Sequence, residues 1–364
     1  MTMAFSASRT LDRLIHKEDL SRDDMLALMR AVMSGELPAT QTAALIVALR
    51  AKGETVTEVA AAAEVMRELS ARVEVGNHDG LVDTCGTGGD GLSTFNISTT
   101  AAFVAAAAGA KVAKHGGRSV SSKTGSADVL EALGADLSKA TPERVAESLN
   151  TLGVGFMFAP QHHAAMKHAA PVRRELGVRT VFNLLGPLTN PAGAPNQVLG
   201  VYAESLTGLM AHVLKALGSK HVLVVHGLDG LDEITLSGPS RIAELKDGVV
   251  KEYMVTPQEL GVSLAPLTKL KVEDAQQSAT MIRAVLAGEQ GPARDIVLLN
   301  AGAALYAADL AESLKAGVEM ARIAIDSGEA KKRLEGFIQL FAKDVSNQTA
   351  NTASHEAFHT QAAS

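Results

Sequence analysis

After Gly76 the chain alternates short apolar runs with helical stretches, and this alternation limits the possible folds more than any other feature. GLVDTCG reads as a short buried strand, ISTTAAFVAAAAGA as a helix, KVAKHGG as a strand and SADVLEALGADL as a helix. ERVAESLNTLGVGFMFAP continues with helix then strand, and SKHVLVVHGLDG and RDIVLLNAG each predict one strand more. Such alternation predicts a mostly parallel sheet covered on both faces. The stretch from about Arg9 to Ser70 reads as helices only. Ser21 is an N-cap with Asp24 three residues on, and TQTAALIVALRAKG ends in the C-terminal signal Lys52–Gly53. HHAAMKHAAPVRRELGVRTVFNLLGPLTNP carries helical and turn signals and returns the chain to this helical module. The expected fold class is therefore α/β, a small all-helical domain plus a large α/β domain with a central, mostly parallel sheet. The expected boundaries are 1–75 with a returning segment at about 165–192, then 76–164 with 193–343, and a polar tail at 344–364.

Composition excludes several classes. A net charge of −6 in 364 residues gives no reason to expect a polyanionic partner, although a local site can still hold a small anion. The single cysteine, Cys85, rules out a disulfide framework and reads as a small buried residue rather than a nucleophile. The N-terminus lacks a signal-peptide core, and the longest apolar run, Ala101–Ala110, is too short for a bilayer, so a cytoplasmic location is expected. HEAFH in the tail (His355, Glu356, His359) matches a zinc-protease pattern but has neither a stable helix nor a third ligand, and reads as chance.

Three loops carry the chemistry. DTCGTGGDGLSTFNIST, residues 83–99, follows a strand and opens a helix, where unpaired backbone N–H groups and the helix dipole attract anions. Gly86, Gly88 and Gly89 permit close approach and positive φ, while Ser93, Thr94, Ser98 and Thr99 add hydroxyl donors. Alone, the stretch also fits a turn that merely closes a βα unit. KHGGRSVSSKTGS, residues 114–126, is a second glycine turn at the end of the next strand, with Lys114, His115, Arg118 and Lys123 among serines. Two such loops on consecutive strands face one crevice and fit a polyphosphate. HGLDGLDEI, residues 226–234, places Asp229, Asp232 and Glu233 at a third strand end. This suits a hard divalent cation or, read alone, an acidic surface turn.

The ordered set GTGGD, N-x-S-T, KHGxRSVSS, SADVLEALG, PVRRELGVRTxFNLLGPLTNP and GLDE resembles the anthranilate phosphoribosyltransferase family, from the N-terminal helices to about residue 340. The resemblance implies a type III phosphoribosyltransferase fold of the nucleoside-phosphorylase kind, a homodimer formed through the helical domain, and a step of tryptophan biosynthesis. In that step phosphoribosyl passes from phosphoribosyl pyrophosphate to anthranilate. It implies that phosphoribosyl pyrophosphate is held by Gly86, Gly89, Asp90, Thr94, Asn96, Ile97, Ser98 and Thr99. Lys114, His115, Gly116, Gly117, Arg118, Ser119, Val120, Ser121, Ser122 and Ser126 complete that set. Two Mg²⁺ ions are implied, one on Ser98 and Glu233, the other on Asp232 and Glu233. Gly86, Gly117 and Arg173 are the implied anthranilate contacts, although Arg173 by itself also fits a surface ion pair with Glu175. His162, His163 and His168 read as pocket lining or ordinary surface histidines. No general base is identified. The family usually has asparagine where this chain has Gly117, and proline in place of the first alanine of HHAAM. A pyrimidine nucleoside phosphorylase and a non-catalytic nucleic-acid-binding relative are the competing readings. The paired acids speak against the first, and the acidic charge with intact loops against the second.

Overall fold

The computed structural model describes residues 5–118 and 123–342. Seven strands form one sheet: β1 Leu81–Asp83, β2 Lys111–Gly116, β3 Val154–Phe158, β4 Asn196–Gly200, β5 His221–Gly227, β6 Ser240–Lys246 and β7 Val249–Val255. The order is β3-β2-β1-β4-β5-β6-β7. The first five are mutually parallel, while β6 and β7 are added antiparallel. The chain leaves β1 toward β2 on one side and later returns to its other side as β4. The strand order therefore reverses at the β1/β4 junction, the place where open α/β sheets bind ligands.

Both faces of the sheet are buried from β1 to β5, where alternate residues divide between two cores, while the edge strand β7 is largely exposed. Along β5, Leu223 and Val225 join one cluster and Val222 and Val224 the other. The first cluster lies beneath the helices Ile97–Ala107, Ala275–Leu286, Pro292–Ala307, Leu314–Asp326 and Glu329–Leu340. The second is continuous with the four N-terminal helices, Ala7–Ile15, Arg22–Ser34, Ala39–Lys52 and Val56–Glu68. Ser21 caps its helix by accepting from the Asp24 N–H, as its spacing predicts. Ala169, Val172, Val181, Phe182, Leu184, Leu185 and Leu188 of the returning segment pack in this second cluster.

RDIVLLNAG is helix, not strand. It lies inside Pro292–Ala307, a 16-residue helix with proline in its first turn and residues Ile296–Leu305 all buried. A short apolar run surrounded by core has no distinguishing period, and the Gly291–Pro292 start signal and length decide for helix. Strands β4, β6 and β7 were not anticipated. Within the helices at Gly302 and Gly317, a Cβ at Gly317 would lie 2.2 Å from the Gly302 carbonyl oxygen, so two helices cross here in backbone contact. Among the described residues no helix is long and apolar enough to cross a membrane.

Candidate active site

The glycine loop joins β1 to the helix Ile97–Ala107. Gly88, Gly89 and Gly91 adopt φ of +64°, +83° and +74°, which side-chain-bearing residues rarely tolerate. Gly86 is needed for a different reason. A Cβ there would sit 2.9 Å from the Gly200 carbonyl oxygen, and a Cβ on Gly200 would sit 1.5 Å from the Asp232 carbonyl oxygen. Three bare backbones are thus stacked: the loop after β1, the end of β4 and the acidic turn after β5. The Thr87 N–H donates to the Gly200 carbonyl at 2.8 Å, closing the stack. Gly200 was missed in the sequence reading, although a glycine ending the apolar run QVLG is itself a sign of close backbone approach.

The acidic turn docks on the N-terminus of the helix that the glycine loop opens. The Ser98 N–H donates to Glu233 Oε1 at 3.1 Å, placing a carboxylate at the positive helix end. Lys114 is buried with its ammonium between loop and helix, donating to the Thr84 carbonyl (2.9 Å), Thr84 Oγ1 (3.3 Å) and Ser98 Oγ (3.2 Å). Burial raises the Glu233 carboxyl to about 7, against the opposing pull of Lys114 and Ser98. Asp232 is pushed well above the usual carboxylate range, first by desolvation and then by the neighbouring Asp90 and Glu233 carboxyls. Three carboxyl groups so placed repel one another once ionised, and an oxygen-seeking cation relieves that repulsion. Among the described residues no three His, Cys, Asp or Glu side chains form a complete metal-binding set. Two carboxylates at a strand end, Asp232 and Glu233, fit magnesium, which commonly takes one or two carboxylates and completes its shell with water and substrate phosphate. Asp229, grouped with the other two in the sequence reading, is engaged in its own turn, accepting from the Leu231 N–H and the hydroxyls of Thr235 and Ser237.

At the end of β2 the His115 N–H donates to Asp83 Oδ1 at 3.1 Å. The imidazole Nδ1 lies 3.1 Å from the Gly186 carbonyl and Nε2 lies 3.2 Å from Nε2 of His163. Burial, with His163 beside it, lowers His115 to about 3, and burial lowers His163 to about 4, so both rings are neutral at neutral pH. The carbonyl requires a proton on His115 Nδ1. The facing Nε2 of His115 is then an acceptor, His163 Nε2 a donor, and His163 Nδ1 a buried acceptor without a partner among the described residues. Together with His162, also buried and bonded through Nδ1 to the Ala71 carbonyl, these are interior groups and not surface histidines.

Gly116 and Gly117 follow, and Arg118 faces Asp128 (3.1 Å) and Glu131 (2.7 Å). Ser119, Val120, Ser121 and Ser122 lie outside the described residues, as does the HEAFH motif. Thr99 donates to Ser126 at 3.0 Å, joining the two glycine loops. Thr94 bridges to Lys271 through the backbone. The Asn96 side chain bonds Thr124 and Ser278, so it anchors the loop to the second glycine loop and to the helix Ala275–Leu286. Arg173 lies on the helix Ala170–Leu176, half-buried over the Phe182 ring at 5.5 Å. It makes no ion pair among the described residues, and desolvation lowers its pKa. Cys85, expected to be buried, is half-exposed; desolvation and the nearby Asp83 and Asp232 carboxyls push its thiol far up, against thiolate chemistry.

Two family models match the chain, the glycosyl transferase family helical bundle domain over residues 8–70 and the glycosyl transferase family a/b domain over 78–331. An anthranilate phosphoribosyltransferase of Chromobacterium violaceum is 61% identical over 333 residues, covering 92% of this chain and 97% of that protein. The one from Nitrosomonas europaea is 59% identical over 336 residues, covering 92% and 98%. The chain belongs to the anthranilate phosphoribosyltransferase family. Among solved members, the Thermus thermophilus structure superposes with a TM-score of 0.86 at 49% identity, covering 91% of this chain and 99% of that one. The Saccharomyces cerevisiae anthranilate phosphoribosyltransferase, solved in complex with PRPP and Mg, gives 0.82 at 28% identity, covering 92% and 97%. A further yeast structure is a complex with 4-fluoroanthranilate, at a TM-score of 0.83 and 28% identity, covering 93% and 99%.

Proposed function

We infer that this chain performs the reaction of its family, moving the phosphoribosyl group from phosphoribosyl pyrophosphate to the amine of anthranilate and releasing pyrophosphate, a step of tryptophan biosynthesis. The observation that carries the reading is the acidic turn seated on the helix N-terminus beside the glycine loop, with Ser98 bonded to Glu233. A nucleoside phosphorylase takes inorganic phosphate and has no use for such a carboxylate pair.

The glycine loop, with Gly86, Gly89, Asp90, Thr94 and Asn96–Thr99, is the proposed cradle of the sugar diphosphate. Lys114 to Arg118 and Ser126 are proposed as its second wall, and Ser119, Val120, Ser121 and Ser122, outside the described residues, are assigned to the same substrate. Backbone N–H groups there meet the negative charge that grows on the leaving group as the ribose C1–O bond breaks. Two magnesium ions are proposed, one on Ser98 and Glu233 and one on Asp232 and Glu233. Bound there, they neutralise diphosphate charge. Arg173 orients the aryl carboxylate, so that the weakly nucleophilic amine is aligned with C1. The helical module, 1–75 with the returning 165–192, is the proposed dimer surface, and the location is cytoplasmic.

Loss of anthranilate fluorescence in a mixture of protein, phosphoribosyl pyrophosphate, anthranilate and magnesium tests the reaction directly, and no loss at any concentration refutes it. In that assay Arg173→Ala is expected to raise KM for anthranilate by roughly 10- to 100-fold, the cost of a charge-assisted contact. Its KM for phosphoribosyl pyrophosphate should change far less, and equal effects on both substrates contradict the role. Gly117→Asn restores the usual family residue. Its φ is not in the left-handed region and a Cβ meets only Ala159 Cβ at 3.9 Å, so the variant folds. It is expected to lower KM for anthranilate by about 3- to 10-fold through one added hydrogen bond. A raised KM speaks against an acceptor contact at this position.

A further inference from the structure

Between Thr87 and Ser93 the glycine loop has three left-handed glycines and little to hold it. Its two ends are tied, Thr87 to the Gly200 carbonyl, and Ser93 and Phe95 to the strand-like segment at Leu270–Val272. In the middle, Leu92 packs against the core, and one hydrogen bond from outside the loop is present among the described residues: Arg179 Nη2 donates to the Gly89 carbonyl. The guanidinium is stacked on Tyr202, with Cζ 4.0 Å from the ring centroid. The Tyr202 N–H in turn donates to Thr87 Oγ1 at 3.1 Å. Arg179 and Tyr202 therefore grip the loop from two sides.

Arg179 stands on the segment that carries Arg173. Gly177 (φ +63°) ends the helix of Arg173, and a tight turn follows in which the Thr180 N–H donates to Asn183 Oδ1 and Val181 and Phe182 are buried. Phe182 is also the ring beneath Arg173. The two arginines thus sit on one short, internally braced element, one beneath the proposed acceptor site and the other on the phosphate loop. A glycine-rich loop loses much conformational entropy on ordering, so a single external bond at its centre biases that equilibrium.

We propose that Arg179 is a positioning residue that couples the two substrate sites, so that occupation of the acceptor site by an aryl carboxylate orders the glycine loop and tightens phosphoribosyl pyrophosphate binding. By reciprocity the sugar diphosphate tightens the acceptor by the same factor. This rests on the reaction inferred above.

Two measurements test it. The KM for phosphoribosyl pyrophosphate is determined at low and at saturating anthranilate, and calorimetry with magnesium gives its Kd with and without benzoate, an aryl carboxylate that lacks the reacting amine. The wild-type values are expected to fall about 5-fold or more when the acceptor site is filled, in the usual range of coupling between sites. Arg179→Ala is expected to raise the unassisted Kd and to abolish this dependence, with kcat at saturation of both substrates less affected and Tm within about 2 °C, as for an exposed side chain. Arg179→Lys, which keeps a donor, should restore part of the coupling. Tyr202→Phe, which keeps the ring, should match wild type, and Tyr202→Leu should not. Absence of coupling in the wild type, or the same coupling in Arg179→Ala, overturns the proposal while leaving the reaction standing. Absence of anthranilate turnover in the wild type removes the reaction itself.

Discussion

The double variant Asp232→Ala/Glu233→Ala is expected to lose phosphoribosyl transfer, with kcat/KM down by at least ~10³-fold, while remaining folded. The size follows from removing both carboxylates proposed to hold the metal beside the leaving diphosphate, where single electrostatic contacts already count for about 10²- to 10³-fold. The fold is expected to survive because both groups are half-buried acids whose ionisation is disfavoured by their surroundings. Alanine removes that repulsion, and the Ser98 N–H it frees lies at a helix terminus that water can reach. Circular dichroism and thermal melting check the fold, and the fluorescence assay in magnesium checks turnover. Normal activity with an intact fold would falsify the metal assignment.

Gly200→Ala is expected to damage both stability and turnover, although position 200 contacts no substrate in the proposed mechanism. The added methyl would lie 1.5 Å from the Asp232 carbonyl oxygen and 2.5 Å from its carbon. Both are backbone atoms that no rotamer change can move. The acidic turn must shift or the strand end must bend, at a cost of about 3 kcal/mol or more, which corresponds to a fall in Tm of about 4 °C or more for a chain of this length. The shift carries the Asp232 and Glu233 side chains with it, and a displacement on the order of 1 Å can cost about 10²-fold in rate. Gly238→Ala is the matched control in the loop that follows the acidic turn. It has no neighbour within 4 Å of a Cβ and no positive φ, so it should behave as wild type. Equal behaviour of the two alanine variants would show that the close stack is not maintained in solution.

Part of the site's layout was legible in the residues. Gly88 and Gly89 adopt the positive φ that their pattern suggested, and the two glycine loops and the acidic turn lie at strand ends, as the strand–helix alternation predicts. Those features depend on local rules: glycine backbone freedom, strand-to-helix turns, and loops placed at strand carboxyl ends. Other features were not legible. RDIVLLNAG could not be separated from a strand, because an apolar run buried on every side carries no period. Asp229 could not be separated from Asp232 and Glu233, because three acids in one loop differ only in which way each points.

What the sequence alone determined, then, is the parts: a helical module, βα units, and three loops with the composition to meet phosphate and a hard cation. Tertiary structure decided how the parts touch. It brought Gly86, Gly200 and Asp232 into backbone contact, turned His115 and His163 toward each other, and set Arg179 on the Gly89 carbonyl. Each of these contacts joins residues distant in the chain. Their geometry follows from how sheet and helices pack, which local pattern does not encode.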